Sequence, residues 1–158
     1  MTLKYRNATP IFQGRLKNLG KRQVKSPKIY FRDTGLLHSL LDIPNGHNLL
    51  GNPKVGASWE GFVLEQALQI LHPNAAYFWG THAGAELDLV FQTGGNRYGI
   101  EIKFTEAPTL TPSMRIASSE VSLEHLWIIY PVNETYPVMK TITVLPLKNL
   151  ETIREEIK

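Results

Sequence analysis

Gly84-Ala85-Glu86-Leu87-Asp88-Leu89-Val90-Phe91 and, beyond Gly94-Gly95, Tyr98-Gly99-Ile100-Glu101-Ile102-Lys103-Phe104 form the stretch whose reading decides the fold. Both halves alternate apolar and polar residues, and side chains along a strand point to opposite faces with period two. The first half turns Leu87, Leu89 and Phe91 one way and Glu86 and Asp88 the other. The second turns Tyr98, Ile100, Ile102 and Phe104 one way and Glu101 and Lys103 the other. Each strand is therefore expected to have one core face and one chemical face. With Gly94-Gly95 as a two-residue turn, Asp88 falls directly opposite Glu101, and Glu86 opposite Lys103. Facing carboxylates repel unless a cation or a proton sits between them. The hairpin has the character of a metal site.

Around the hairpin, the rest of the chain reads as one mixed domain. Pro27 to Phe31 is a short extended segment, and Asp33 caps a helix over 34–41 that ends at Pro44-Asn45-Gly46. Residues 45–56, rich in Gly, Asn and Pro, read as a loop. A helix over 57–71 carries Trp59, Phe62, Val63, Ala67, Ile70 and Leu71 as a core stripe. Tyr77-Phe78-Trp79 is a strand leading into the hairpin. A helix over 113–121, strands over 126–130 and 141–145, and a charged helix over 148–158 complete the pattern. This order predicts an α/β domain with a mixed central sheet flanked by helices.

The 158 residues, 42% of them hydrophobic, are enough for one domain with a real core. With no cysteine, disulfides and thiolate metal sites are excluded, which suits a reducing cytosol. No apolar run approaches the roughly 20 residues that span a bilayer, and Met1 to Tyr5 has no apolar secretion core. A soluble, cytoplasmic protein without membrane contact is expected. Charge is uneven: residues 1–32 hold nine Lys or Arg and no acid, while residues 33–158 hold eight bases against fourteen acids, a net −6. The expected organisation is a basic lead over 1–28 followed by the domain over 29–158. Such a lead suits a polyanion, with Lys21, Arg22, Lys25 and Lys28 as nucleic-acid contacts. It equally suits a solvated arm or a segment packed on an acidic neighbour. Gly14 to Lys21 is not a phosphate loop, because five residues separate Gly14 from Gly20 and Arg22 stands where a Ser or Thr belongs.

Asp88, twelve intervening residues and then Glu101-Ile102-Lys103 resemble the PD-(D/E)XK signature of the restriction-endonuclease-like nuclease superfamily. Glu60, in Trp59-Glu60-Gly61-Phe62, matches the acid that a preceding helix often supplies there. More narrowly, Gly20-Lys21-Arg22 and Lys25 to Leu37 resemble the uncharacterised domain that follows the AAA-type module of predicted prokaryotic ATPases. Tyr77-Phe78-Trp79-Gly80-Thr81, Gly84 to Asp88 and Ile100 to Lys103 agree with that family too, so the likeness covers roughly residues 18–147. Two features depart from the pattern. No ATPase module lies within these 158 residues, and Leu87 replaces the signature Pro before Asp88.

The resemblance implies a restriction-endonuclease-like domain, a Mg²⁺ or Mn²⁺ cofactor, a DNA substrate and an AAA-type ATPase partner. Asp88 and Glu101 are then the principal metal ligands, the Ile102 carbonyl a third, and Glu60 a further ligand directly or through water. Lys103 orients the attacking water or stabilises the pentacoordinate phosphate, with Glu86 as its supporting partner. Each position also has a plain reading, since alternating charges commonly form a solvated face. Glu65 reads as a surface helix acid and His82 as an exposed loop residue. His38, His47, His72 and His125 lack ligand spacing, and Trp59, Trp79 and Trp127 belong to the core. Three readings follow: a metal-dependent nuclease, a catalytically silent nuclease-fold module that binds DNA or regulates an ATPase, and a structural interaction domain.

Overall fold

The computed structural model describes residues 8–10 and 29–157; Lys21, Arg22, Lys25 and Lys28 lie outside them. A short ribbon pairs β1 (Ala8–Pro10) with β2 (Ile29–Phe31) in antiparallel fashion, with Thr9 opposite Tyr30. Asp33 accepts from the Leu36 amide at 3.0 Å and starts α1 (Thr34–Leu40) as its sequence position predicts. The segment read as a loop contains a one-turn helix, α2 (Gly46–Leu50), capped by Asn45 through the Asn48 amide. Next comes α3 (Val55–Leu71), which ends where His72 turns left-handed before Pro73.

The sheet follows: β3 (Ala75–Gly80), β4 (Glu86–Thr93), β5 (Asn96–Ile102), then α4 (Pro112–Val121), β6 (His125–Tyr130), β7 (Tyr136–Met139) and β8 (Ile142–Pro146). A 3₁₀ turn over Leu147–Asn149 leads into α5 (Leu150–Glu156). The six strands lie in the order β3-β4-β5-β6-β8-β7. The β3-β4, β4-β5 and β7-β8 pairs are antiparallel; β5-β6 and β6-β8 are parallel. Parallel neighbours need a crossover, and α4 supplies it between β5 and β6. The expected α/β class with a mixed sheet and flanking helices is what the chain forms. No helix among the described residues is long and apolar enough to cross a membrane.

Both sheet faces are buried, so neither strand of the hairpin has the single core face that alternation predicts. On one face α3 and α5 supply Val63, Leu64, Ala67, Leu150 and Ile153 against Leu89, Phe91, Ile100, Ile102, Trp127 and Ile129. On the other, α4 supplies Met114, Ala117 and Val121 against Leu87, Val90, Leu126, Ile128 and Val144. Each fully buried Leu, Ile, Val or Phe contributes about 1.5–3 kcal/mol before entropy is subtracted. Trp79 and Trp127 are core, as read from the sequence; Trp59 is half-buried, and Phe62 of the predicted stripe is exposed.

The hairpin turn has the expected form. Gly94 and Gly95 have φ of 56° and 85°, the positive values a tight hairpin turn requires. The register runs from Thr93↔Asn96 to Leu89↔Ile100 and the ladder ends there. The pairings expected farther on, Asp88 with Glu101 and Glu86 with Lys103, are not rungs of it. Glu86 pairs with Gly80 of β3 instead.

Candidate functional site

The ladder ends because β4 bulges. Tyr77 pairs with Val90 and Trp79 with Leu87, so Phe78 alone faces both Asp88 and Leu89. One extra residue inverts the alternation on its far side. This is why Leu87 joins Val90 in the α4 cluster rather than Leu89 and Phe91, as strict alternation requires. Asp88 sits in the bulge. Its Oδ2 accepts from the Ile102 amide at 2.9 Å, so a side chain takes over where the backbone pairing has stopped.

Two acids lie just past the last rung of the β4–β5 ladder, Leu89↔Ile100. Asp88 and Glu101 are 8% and 6% exposed, on adjacent strands. Buried carboxylates are costly unless paired. Asp88 has the Ile102 amide; Glu101 has Lys103, whose Nζ lies 2.6 Å from Oε1. Lys103 is just past β5, anchored through its own amide to the Ile129 carbonyl of β6. Its ion pair is with Glu101, two residues back on the same strand face, where the sequence reading assigned Glu86. Exposed Glu86 begins β4.

The helix α3 adds Glu60, which accepts a hydrogen bond from the Tyr30 hydroxyl of β2. Burial, that bond and the negative charges of Glu60, Asp88 and Glu86 all push the Tyr30 phenol above its usual range. Tyr30 is therefore a neutral donor to Glu60. One turn on, Glu65 is buried rather than a surface acid. Arg32 holds it with Nη2 at 2.7 Å and Nε at 3.1 Å from both oxygens, and Gln69 adds a bond at 2.7 Å. Neither Tyr30 nor Arg32 carried a chemical signal in the sequence, since their partners lie 30 and 33 residues away.

Among the described residues no group of three or more His, Asp or Glu side chains could by itself hold a metal ion. Mg²⁺ commonly takes only one or two carboxylates and keeps several waters. Asp88 and Glu101 offer the carboxylate oxygens that a hard cation of that kind takes.

Two cavities lie apart from this centre. One of about 700 Å³ runs between the β3–β4 connection and α4, past Thr81, His82, Ser113 and Glu120. The other, about 250 Å³, is lined by His38, Leu50, Ser58, Trp59, Phe62 and Phe104. Within its walls the His38 ring nitrogen is 2.6 Å from the Ser58 hydroxyl, and the buried Trp59 N–H has no hydrogen-bond partner among the described residues.

The model of a domain of unknown function, DUF4143, matches residues 55–150, from the start of α3 to the start of α5. The chain belongs to the DUF4143 family. Residues 7–47 match a second domain of unknown function, DUF8612. The curated relatives include the uncharacterized proteins Rv2008c of Mycobacterium tuberculosis and Mb2031c of Mycobacterium bovis. Each is 48% identical over 150 residues, which are 95% of this chain and 33% of the relative. This DUF4143 chain thus spans about a third of the length of the curated relatives it matches. No solved structure matches it.

Proposed function

We propose that this domain is a metal-dependent nuclease-like module of the PD-(D/E)XK type that acts on DNA phosphodiesters. The observation that carries the reading is the β4 bulge, which seats the buried Asp88 carboxylate on the Ile102 amide, beside buried Glu101 and its Lys103 partner. Asp88 and Glu101 are the ligands, with the Ile102 carbonyl and Glu60 completing the set directly or through water. A bound Mg²⁺ or Mn²⁺ supplies Lewis acidity and a water of lowered pKa. Lys103 carries a positive charge at the strand end, where it orients an attacking water or neutralises charge on the phosphate. Glu86 supports the centre from the start of β4. The basic residues Lys21, Arg22, Lys25 and Lys28 are assigned to the phosphate backbone.

The test is cleavage of plasmid and single-stranded DNA in Mn²⁺ and Mg²⁺ by the wild type beside Glu101→Ala. Cutting by the wild type alone supports the assignment. Cutting that survives Glu101→Ala removes Glu101 from it, and a folded wild type that never cuts removes the nuclease.

A second reading has its own support. Tyr30 on Glu60 and Lys103 on Glu101 give each of these acids a donor from the chain itself. A silent module that binds DNA or regulates an AAA-type ATPase partner suits that arrangement and the family resemblance. DNA binding without cleavage in divalent metal selects it.

A further inference from the structure

We propose that Tyr30 is a positioning residue of the acidic centre, holding the Glu60 carboxylate in place through its hydroxyl. The assignment rests on the metal-site reading above and adds to it a residue from outside the sheet.

Three observations carry it. First, the Tyr30 hydroxyl donates to Glu60 Oε1 across 30 residues of sequence. A carboxylate has about four lone-pair sites, so one donor orients it without using it up. Second, Tyr30 is itself held. Its ring packs over Gly61, buried in α3 next to Glu60; a Cβ added there would lie 3.4 Å from the Tyr30 Cδ1. Two residues along, Arg32 grips buried Glu65 on the same helix with three hydrogen bonds. Tyr30 and Arg32 thus hold α3 on both sides of Gly61, which fixes where the phenol sits. Third, the phenol that holds Glu60 also feels the negative charges of Asp88 and Glu86. Like charges drive a mobile carboxylate outward. A neutral donor fixed from behind opposes that drift.

The test is calorimetric titration with Mn²⁺ of the wild type, Tyr30→Phe, Glu60→Gln and the double variant. Phe keeps the ring over Gly61 and removes only the oxygen, and urea midpoints taken without metal show that each variant is folded. Tyr30→Phe is expected to weaken Mn²⁺ binding about tenfold, the lower end of what losing an outer partner costs. In the Glu60→Gln background the same change is expected to cost nothing further. Equal affinity in wild type and Tyr30→Phe overturns the assignment, as does a tenfold loss that persists in Glu60→Gln. A wild type that binds no Mn²⁺ overturns the metal-site reading and this assignment together. A second readout needs no Tyr30 variant: saturating Mn²⁺ is expected to shift the tyrosine ultraviolet difference spectrum of the wild type and not that of Glu60→Gln. No shift in a metal-bound wild type also overturns the assignment.

Discussion

A methyl group at Gly99 meets Leu123 Cδ1 at 2.7 Å, Leu87 Cδ2 at 2.9 Å and Leu126 Cδ1 at 3.0 Å. The residue is bare because three leucines of the α4 face close over β5 at that point. Gly99→Ala is expected to lower stability by about 1–3 kcal/mol through overpacking, read as a lower urea midpoint with unchanged slope. His125 is a different case. Burial pushes its imidazole below the ordinary value of 6.5, against the opposing pull of Glu156 and Glu124, and its ring nitrogen is 2.9 Å from the Thr143 hydroxyl. Because the native ring stays neutral where the unfolded ring takes a proton, its contribution is complete above 6.5. That contribution shrinks as pH falls from there toward the lowered native value. His125→Gln is expected to flatten the loss of urea midpoint between pH 7.5 and pH 5.5. A slope equal to that of the wild type would assign the loss to other groups.

Among the elements, the hairpin and its bulge do most to shape the site. Gly95→Ala places a side chain at φ 85° and is expected to cost about 1–2 kcal/mol, again measured as a urea midpoint. Glu-Leu-Asp-Leu-Val-Phe and Gly-Gly were enough to read the strands and the turn. The bulge was not legible, because it depends on how β3 pairs with β4, and a bulged strand keeps the same apolar and polar letters. Its consequence reached Leu87, assigned to the wrong face, and the rungs expected at Asp88 and Glu86. Other misses have equally local causes. The β7 strand has four residues, includes Pro137 and lies at the sheet edge with no residue fully buried. The α2 helix has five residues, too few for a periodic pattern. By contrast, Asp33 and the apolar spacing of α3 announced their helices.

At the scale of the whole molecule, the basic lead and the acidic body pose the remaining question. Neutralising Lys21, Arg22, Lys25 and Lys28 together is expected to flatten the dependence of DNA affinity on salt. The log–log slope falls by about 0.9 for each duplex phosphate that the lead no longer neutralises. An unchanged slope takes the lead out of the DNA interface. The relatives have about three times this length, with 48% identity maintained across 95% of the chain. Whatever the remaining two thirds do in those proteins, the shared third includes Tyr30's strand, α3 and the hairpin within a single three-layer domain.

The sequence by itself determined the α/β class, the Gly94-Gly95 turn, the start of α1 and the register up to Leu89↔Ile100. Those features follow from local rules: side-chain period, capping and the positive φ that glycine tolerates. It also singled out Asp88, Glu101, Lys103 and Glu60 as candidates. Tertiary structure alone decided that both sheet faces are buried, since neither α3 nor α4 is visible from within a strand. It alone set Asp88 on the Ile102 amide, Lys103 on Glu101, Tyr30 on Glu60 and Arg32 on Glu65. Apart from Lys103 and Glu101, these contacts join residues 14 to 33 positions apart. Interactions of that range are set by how the chain closes on itself, for which no spacing along it is a guide.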